Sequence, residues 1–317
     1  MSNTSPISAP SALQTGEGTL WQSFWSTSQD GLKLHTRVYG AEHSQHSPTQ
    51  HLPTQLLPVV CLAGLARTSA DFHEIATHLS NHKTKPRQVL ALDYRGRGRS
   101  DYDPNPANYD PRIEMQDVQD VLTAVGVHEA VFIGTSRGGL ITMGLSAARP
   151  GCIKGVVLND IGPVIEGKGL ARIKSYVGKL PKPRDYGEAV HILKRVASQH
   201  FTRLSDAEWD TFARRTFKAS KEGLVPDYDP ALTKALESFD LEKPLPVLWH
   251  LFGGLQGVPV LSIRGEHSDI LSVETQSEMS RRHPACESYL VVGEGHAPLL
   301  GDRPTIQKIA GFVHSVA

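Results

Sequence analysis

The feature that most constrains the fold of this chain is the run Gly134-Thr135-Ser136-Arg137-Gly138, which joins a short apolar run to an apolar stripe. Residues 130–133 predict a buried strand, and the stripe after Gly139 predicts a helix. Between a strand and a helix, the pattern G-x-S-x-G puts a serine on a sharp, strained turn. Glycines suit such a turn because a residue without Cβ lets strand and helix approach closely. We therefore expect an exposed Ser136 hydroxyl, with the Arg137 amide at the positive end of the helix.

Strands and helices alternate on both sides of this turn. Two strands, over 20–26 and 32–39, flank Gln29-Asp30-Gly31, which is a favourable hairpin turn. Amphipathic helical patterns separate further apolar segments, which predict strands over 58–62, 89–92, 155–158, 258–263 and 288–292. The sequence therefore predicts an α/β fold with a mostly parallel sheet flanked by helices.

The alternation stops between residues 164 and 256, where the pattern is helical. Ser205 and Glu208 have the spacing of a capping box at the start of one helix. We expect residues 19–163 and 257–317 to form one α/β core, with 164–256 inserted as a helical cap. Such an insertion commonly covers the carboxyl ends of the strands, where ligands bind. Residues 1–18 are rich in Ser, Thr and Pro and are predicted to be a disordered tail.

Composition and charge disfavour several classes of partner. Lys plus Arg and Asp plus Glu both number 33, so no bulk charge favours nucleic acid or an anionic membrane. The sequence shows neither a signal-peptide pattern nor an apolar run of membrane-spanning length, so we expect a cytoplasmic protein without a membrane partner. A monomer and a homodimer both remain open.

Two segments of the sequence carry residue types that metal or cofactor sites use. His43, His46 and His51 lie in a segment rich in Pro, Ser and Gln, which favours solvated side chains over a metal site. The Gly-x-Gly after residues 89–92 lacks the third glycine of a dinucleotide-binding loop. The arginines of that loop are interpreted as braced by nearby carboxylates; they are Arg95, Arg97 and Arg99. We therefore expect neither a metal nor a cofactor.

Two later strand ends carry residue types that a serine nucleophile needs. The strand 258–263 runs into Gly265-Glu266-His267-Ser268-Asp269, and the strand 288–292 runs into Gly293-Glu294-Gly295-His296. Ser136, Asp269 and His296 thus follow strands in the order nucleophile, acid, base. Together with the loop Asp93 to Ser100, these motifs resemble those of α/β-hydrolases with a helical cap. The resemblance extends from about Leu20 to the C-terminus.

The resemblance implies a role for each of these residues. Ser136 is expected to attack a carbonyl carbon, and His296 to take its proton and return it to the leaving group. Asp269 is expected to hold the imidazole in the right tautomer. Asp160 also ends a strand after the nucleophile, so it remains an alternative acid or a partner for Arg137.

The resemblance also implies an oxyanion hole formed by two backbone amides. These are the amide of Arg137 and, by analogy with the family, the amide of Leu65. The family usually has His-Gly before the second position, whereas this chain has Ala63-Gly64. A backbone donor survives that change, but any bracing of the loop by a histidine side chain is lost.

The implied function is a serine hydrolase that cleaves carboxylic esters of small molecules through an acyl-enzyme, and the expected partner is a small-molecule ester or lactone substrate. The alternatives are a lactonase or carbon–carbon bond (meta-cleavage product) hydrolase, a cofactor-free oxygenase or perhydrolase, and a non-catalytic ligand-binding protein. Serine at position 136 disfavours the family branches that use an aspartate nucleophile. Aromatic residues of the expected cap either line an apolar pocket or, as is more common at helical spacing, pack in the core of the cap; they are Tyr176, Trp209, Phe212 and Trp249.

Overall fold

The computed structural model describes residues 20–43, 56–237 and 245–316. Two predictions lie outside these residues: the tail over 1–18, and most of the polar segment with its histidines His46 and His51. Within the described ranges, no helix has the length and apolar character needed to cross a membrane.

The strands form one large sheet and one small hairpin. In chain order they are β1 (Gln22–Thr27), β2 (Lys33–Tyr39), β3 (Val59–Leu62), β4 (Val89–Leu92), β5 (Ala130–Thr135), β6 (Ile153–Asn159), β7 (Phe217–Ser220), β8 (Gly223–Pro226), β9 (Val260–Gly265) and β10 (Cys286–Val291). The large sheet has eight strands in the order β1-β2-β4-β3-β5-β6-β9-β10. β2 pairs antiparallel with β1 and β4, and the other pairs are parallel. The predicted mostly parallel sheet is confirmed.

The helices cover both faces of this sheet. They are α1 (His73–Ser80), α2 (Pro111–Val125), α3 (Arg137–Ala148), α4 (Gly167–Tyr176), α5 (Tyr186–Ala197), α6 (Asp206–Thr216), α7 (Leu232–Glu237), α8 (Trp249–Gly253), α9 (Val273–Arg282) and α10 (Arg303–Ser315). Side chains alternate across a strand, so each central strand supplies two apolar cores. Val60 and Leu62 pack with residues of α2, α3, α8 and α9, whereas Val59 and Cys61 pack with residues of α1 and α10.

The segment between β6 and β9 contains α4 to α8, but it is not helical throughout. β7 and β8 form an antiparallel hairpin that the helical interpretation missed. Each strand has only four residues, too few to show a clear alternation, and Gly223 begins β8 with a φ of 112°. The capping box at the start of α6 is confirmed: Ser205 and Glu208 bond each other's backbone amides.

Glycines allow β5 and α3 to meet closely on either side of Ser136. A Cβ on Gly138 would lie 2.0 Å from the carbonyl oxygen of Leu62, and one on Gly134 would lie 2.6 Å from the backbone of Gly138. Both distances are far below a van der Waals contact, and both involve backbone that cannot turn aside. The glycines of the motif therefore fix how the helix packs against the sheet.

We predict that Gly138→Ala destabilises the protein by about 3 kcal/mol or more, because the new methyl group overlaps the β3 backbone. Gly311→Ala is the matched control, since Gly311 is also helical and a Cβ there meets nothing within 4 Å. It should stabilise the protein by about 0.5–1 kcal/mol through helix propensity. Chemical denaturation measures both changes, and equal effects of the two variants would contradict the packing argument.

Candidate active site

Ser136 occupies the turn between β5 and α3 in a strained conformation. Its φ is 50° and its ψ is −112°, a combination that residues with a Cβ rarely adopt. Its amide donates to the Asn159 carbonyl oxygen at 3.0 Å, and its own carbonyl oxygen accepts from Gly139 and Leu140 at 2.9 and 3.1 Å. These bonds hold the residue between the end of β6 and the first turn of α3, so the side chain projects from the end of the sheet.

The imidazole of His296 lies between Ser136 and Asp160. Its Nε2 is 2.9 Å from Ser136 Oγ, and its Nδ1 is 2.8 Å from Asp160 Oδ2. The side chains of His296 and Asp160 are 6% and 0% exposed, so little water competes for these bonds. With a proton on Nδ1, the ring donates to Asp160 and accepts from the Ser136 hydroxyl. This arrangement can take a proton from Ser136 while the carboxylate stabilises the resulting imidazolium.

The prediction that Asp269 accepts from His296 is wrong in this structure, because Asp160 holds that position. Oδ1 of Asp160 accepts from the Gly265 amide at 2.8 Å, and Oδ2 accepts from Ser268 Oγ at 2.6 Å as well as from His296. Three donors therefore fix the carboxylate at the end of β6, where the Asp160 backbone has a φ of 56°. The alternative that Asp160 pairs with Arg137 is also wrong, since Arg137 Nε donates to Glu114.

Asp269 has a different partner. Its two oxygens accept from Nε and Nη2 of Arg172, on α4, at 2.5 and 2.8 Å. Burial acts to raise the pKa of Asp269, but hydrogen bonds from Arg172 and the charge of that guanidinium hold it below its usual value. Asp269 is therefore committed to an ion pair between the loop after β9 and the inserted segment. Sequence reasoning missed Arg172, which lies 97 residues away in the chain.

The structure brings both predicted oxyanion residues to Ser136. Leu65 follows β3 and lines the same cavity as Ser136 and His296. A Cβ on the preceding residue, Gly64, would lie 3.9 Å from Ser136 Cβ, so this loop runs beside the turn. Arg137 is the first residue of α3. The role of their amides as oxyanion donors stays a prediction.

Ser136 opens onto a cavity of about 240 Å³. Apolar residues of the inserted segment form much of its wall; they include Ile173, Val177, Leu180, Leu193, Val196, Phe201, Leu204 and Phe212. Tyr176 also lines the cavity, so it and Phe212 follow the pocket alternative for the aromatic residues. Trp209 and Trp249 do not line it. Trp209, on α6, packs in an apolar cluster with residues of α5, and Trp249 contacts Phe252 and the guanidinium of Arg282.

The arginines of this cavity are paired with carboxylates. Arg67 donates to Asp71 through Nε and Nη2 at 2.8 and 2.5 Å, and Arg215 donates to Glu74. Together with the pair between Arg172 and Asp269, each of these cations has an anion beside it. The pairing leaves the arginines largely neutralised, which favours an uncharged ligand next to the apolar wall.

Glu294 is a second buried carboxyl group at the cavity. It is 6% exposed, and its Oε2 accepts from the Leu299 amide at 2.7 Å, closing the loop that carries His296. Burial, with smaller contributions from the charges of Asp302 and Glu208, raises the pKa of Glu294 to about 7. Glu294 lies two residues before His296 in the same glycine-rich motif, where the sequence alone does not indicate its burial.

A second chain of serine, histidine and aspartate lies elsewhere in the sheet. Ser23 Oγ is 3.0 Å from His35 Nε2, and His35 Nδ1 is 2.8 Å from Asp93 Oδ2. These distances match those at His296, but Ser23 lies within the regular strand β1 and does not line the Ser136 cavity. Asp93 also accepts from the Ser69 amide at 2.7 Å. These hydrogen bonds of Ser23, His35 and Asp93 join strands and a loop, and they provide a control for experiments on Ser136.

Among residues 20–43, 56–237 and 245–316, no three His, Cys, Asp or Glu side chains are grouped so as to hold a metal ion.

Comparisons with known proteins find relatives that match most of this chain. A curated relative, the 3-hydroxybutyrate-oligomer hydrolase of Cupriavidus necator, is 30% identical over 251 residues, which are 77% of this chain and 84% of that protein. Esterase YbfF of Escherichia coli is 25% identical over 84% of this chain and 92% of its own length. Among solved structures, an alpha/beta hydrolase from Novosphingobium aromaticivorans matches with a TM-score of 0.83 and 34% identity, covering 94% of this chain and 99% of that one.

The family model for alpha/beta hydrolases matches residues 59–306, which span the sheet from β3 onward and the inserted segment. The fold, the order of the strands and the relatives all agree with that match. This chain belongs to the alpha/beta hydrolase family.

Proposed function

We propose that this hydrolase cleaves carboxylic esters of small molecules through an acyl-enzyme formed on Ser136. The observation that carries the proposal is the position of His296, which bridges Ser136 Oγ and Asp160 Oδ2 beside the cavity. A serine on a strained turn, a base within hydrogen-bond distance and a carboxylate behind that base are the parts that acyl transfer needs.

The proposed reaction has two halves. Ser136 Oγ attacks the ester carbonyl carbon while His296 Nε2 takes the hydroxyl proton, giving a tetrahedral oxyanion. Collapse of this intermediate expels the alcohol, which receives the proton from His296, and leaves the acyl group on Ser136. A water molecule then repeats the sequence and releases the acid. Throughout, Asp160 holds the proton on Nδ1 and stabilises the imidazolium.

The inserted segment, as the proposed cap, would set which acyl groups fit. Its apolar residues line the cavity, and the nearby arginines are already paired, so an uncharged aliphatic chain suits this wall. The relative named as a 3-hydroxybutyrate-oligomer hydrolase supports testing esters of short hydroxy acids, and the relative named as an esterase supports simple esters. A screen over acyl lengths, with lactones included as cyclic esters, separates these substrate types.

We predict that an organophosphonate probe adds once to the protein, on the peptide containing Ser136. Ser136→Ala should lose this labelling and lower kcat by on the order of 10⁴ or more. Ser23→Ala is the matched control, because Ser23 has similar bonds to a histidine and an aspartate but no strained turn. It should label at the wild-type rate. Mass spectrometry of the labelled peptides checks this. If Ser136→Ala is labelled as fast as the wild type, the assignment of Ser136 as the nucleophile is wrong.

A second prediction separates the two aspartates. Asp160→Asn should lower kcat by on the order of 10⁴, because the amide favours the wrong imidazole tautomer. Asp269→Asn should retain most of kcat and mainly weaken the contact with Arg172. Steady-state kinetics, with circular dichroism to confirm folding, measures both. Near-wild-type activity in folded Asp160→Asn, together with an inactive Asp269→Asn, would restore Asp269 as the acid.

The loop that carries the proposed base should also make stability depend on pH. The pKa of Glu294 rises from 4.5 to about 7 on burial, so the folded protein binds this proton more tightly than the unfolded chain. The resulting stabilisation is complete below the pKa that Glu294 has in the unfolded chain. It is lost as the pH rises through the higher pKa that Glu294 has in the folded protein. Glu294→Gln should remove this dependence, which amounts to about 3 kcal/mol between about pH 4 and pH 8. Chemical denaturation across that pH range measures the free energy of unfolding of the wild type and of Glu294→Gln. If this free energy changes with pH in the same way for both proteins, the prediction is wrong.

A further inference from the structure

A single buried carboxylate connects the two segments that supply the expected oxyanion donors. Glu114, on α2, has a side chain with 0% exposure. It accepts from Arg97 Nη1 at 2.6 Å through one oxygen and from Arg137 Nε at 2.5 Å through the other. Arg137 is itself one of the two expected donor residues.

The other donor residue is reached through Arg97. Its Nε donates to the Leu65 carbonyl oxygen at 2.8 Å, and its Nη1 donates to the Arg95 carbonyl oxygen at 2.7 Å. The Leu65 carbonyl belongs to the peptide that follows the expected amide donor, so this bond restricts how that loop can turn. The chain of contacts runs from Leu65 through Arg97 and Glu114 to Arg137.

This chain of contacts offers a substitute for the histidine that the loop lacks. Ala63-Gly64 precedes Leu65, and neither side chain can brace the loop through a hydrogen bond. The Arg97 guanidinium is fully buried and supplies that brace from a different segment. The guanidinium of Arg137 is held a second time, since its Nη2 donates to the Tyr109 carbonyl oxygen at 2.7 Å.

The charges of this group also suit an anionic intermediate. Two guanidinium groups share one carboxylate, so the cluster carries a net positive charge beside both oxyanion segments. Water is largely excluded, since the side chains of Arg97 and Arg137 are 0% and 11% exposed. A fixed positive charge in such surroundings stabilises a developing oxyanion more than it stabilises a neutral ester.

We propose that Glu114 and Arg97 are positioning residues for the oxyanion hole: through Arg137 and the Leu65 carbonyl, they hold its two amides in place relative to each other. This inference rests on the proposed ester hydrolysis at Ser136. It predicts a loss of transition-state stabilisation, and not of substrate binding, when the bridge is weakened.

The test compares Glu114→Gln with Asp117→Asn. Asp117 is the matched control because it lies on the same helix and is buried against an arginine of the same loop, Arg95, with bonds of 2.7 and 2.6 Å. Arg95 bonds neither Leu65 nor Arg137 through its side chain; the partners of its guanidinium are aspartates. Both variants remove a buried charge from an ion pair, so their general effects on stability should be similar.

For each protein, kcat and KM are measured with a short-chain p-nitrophenyl ester. Inhibition constants are measured for a trifluoromethyl ketone, which forms a tetrahedral adduct with serine, and for the methyl ketone of the same chain, which mimics the ground state. Glu114→Gln should lower kcat by about 10²-fold with KM nearly unchanged, and should weaken the trifluoromethyl ketone by a similar factor. Binding of the methyl ketone should not change. Asp117→Asn should keep wild-type values for all four quantities.

Equal kinetic effects of Glu114→Gln and Asp117→Asn would overturn the inference, as would a fall in kcat without weaker binding of the trifluoromethyl ketone. If Glu114→Gln does not fold, Arg97→Lys against Arg95→Lys makes the same comparison while keeping each positive charge. A wild-type protein that neither hydrolyses esters nor binds the trifluoromethyl ketone would instead contradict the proposed function itself.

Discussion

The strained backbone of Ser136 is the constraint on which the rest of the site depends. A residue with a Cβ stays at a φ of 50° only where surrounding contacts over-determine its conformation. Those contacts come from the sheet itself: Gly138 packs against the β3 backbone, and the Ser136 amide bonds the carbonyl oxygen of Asn159 at the end of β6. The apolar cores on both faces hold these strands in register. The serine is therefore positioned by the buried backbone of the central sheet.

Buried charges then join segments that are distant in the sequence. Asp160 joins the end of β6 to Gly265 at the end of β9 and to Ser268 in the loop after β9, and it also bonds His296 in the loop after β10. Charges in such places are tolerated because each one has close partners, whereas removing one partner would leave another charge uncompensated. The same rule holds on the other side of Ser136 for Glu114, which has an arginine on each oxygen. The strained turn thus has ionic networks on two sides.

Much of this arrangement could be predicted from the sequence, because it depends on local patterns. Apolar runs predicted where most strands of the large sheet lie along the chain, and the glycine-rich motifs pointed to Ser136 and His296 as candidate site residues. The choice between Asp160 and Asp269 could not be made in the same way, since both follow a strand and both precede His296. It depends on donors that the chain brings together only on folding, such as the Gly265 amide and the guanidinium of Arg172. The hairpin β7–β8 was missed because its four-residue strands are too short to show a period.

The comparison between the two serine–histidine–aspartate chains shows what a sequence motif adds to hydrogen bonding. Ser23, His35 and Asp93 have nearly the same distances as Ser136, His296 and Asp160. Ser23 nevertheless lies within a regular strand, whereas Ser136 lies on a strained turn directly before a helix. Arg172 adds a second distinction at the Ser136 site, since it pairs with Asp269 and so leaves Asp160 as the carboxylate that faces the imidazole. We therefore expect reactivity at Ser136 and not at Ser23, because Ser136 combines the hydrogen bond to a histidine with a strained turn and the first amide of a helix.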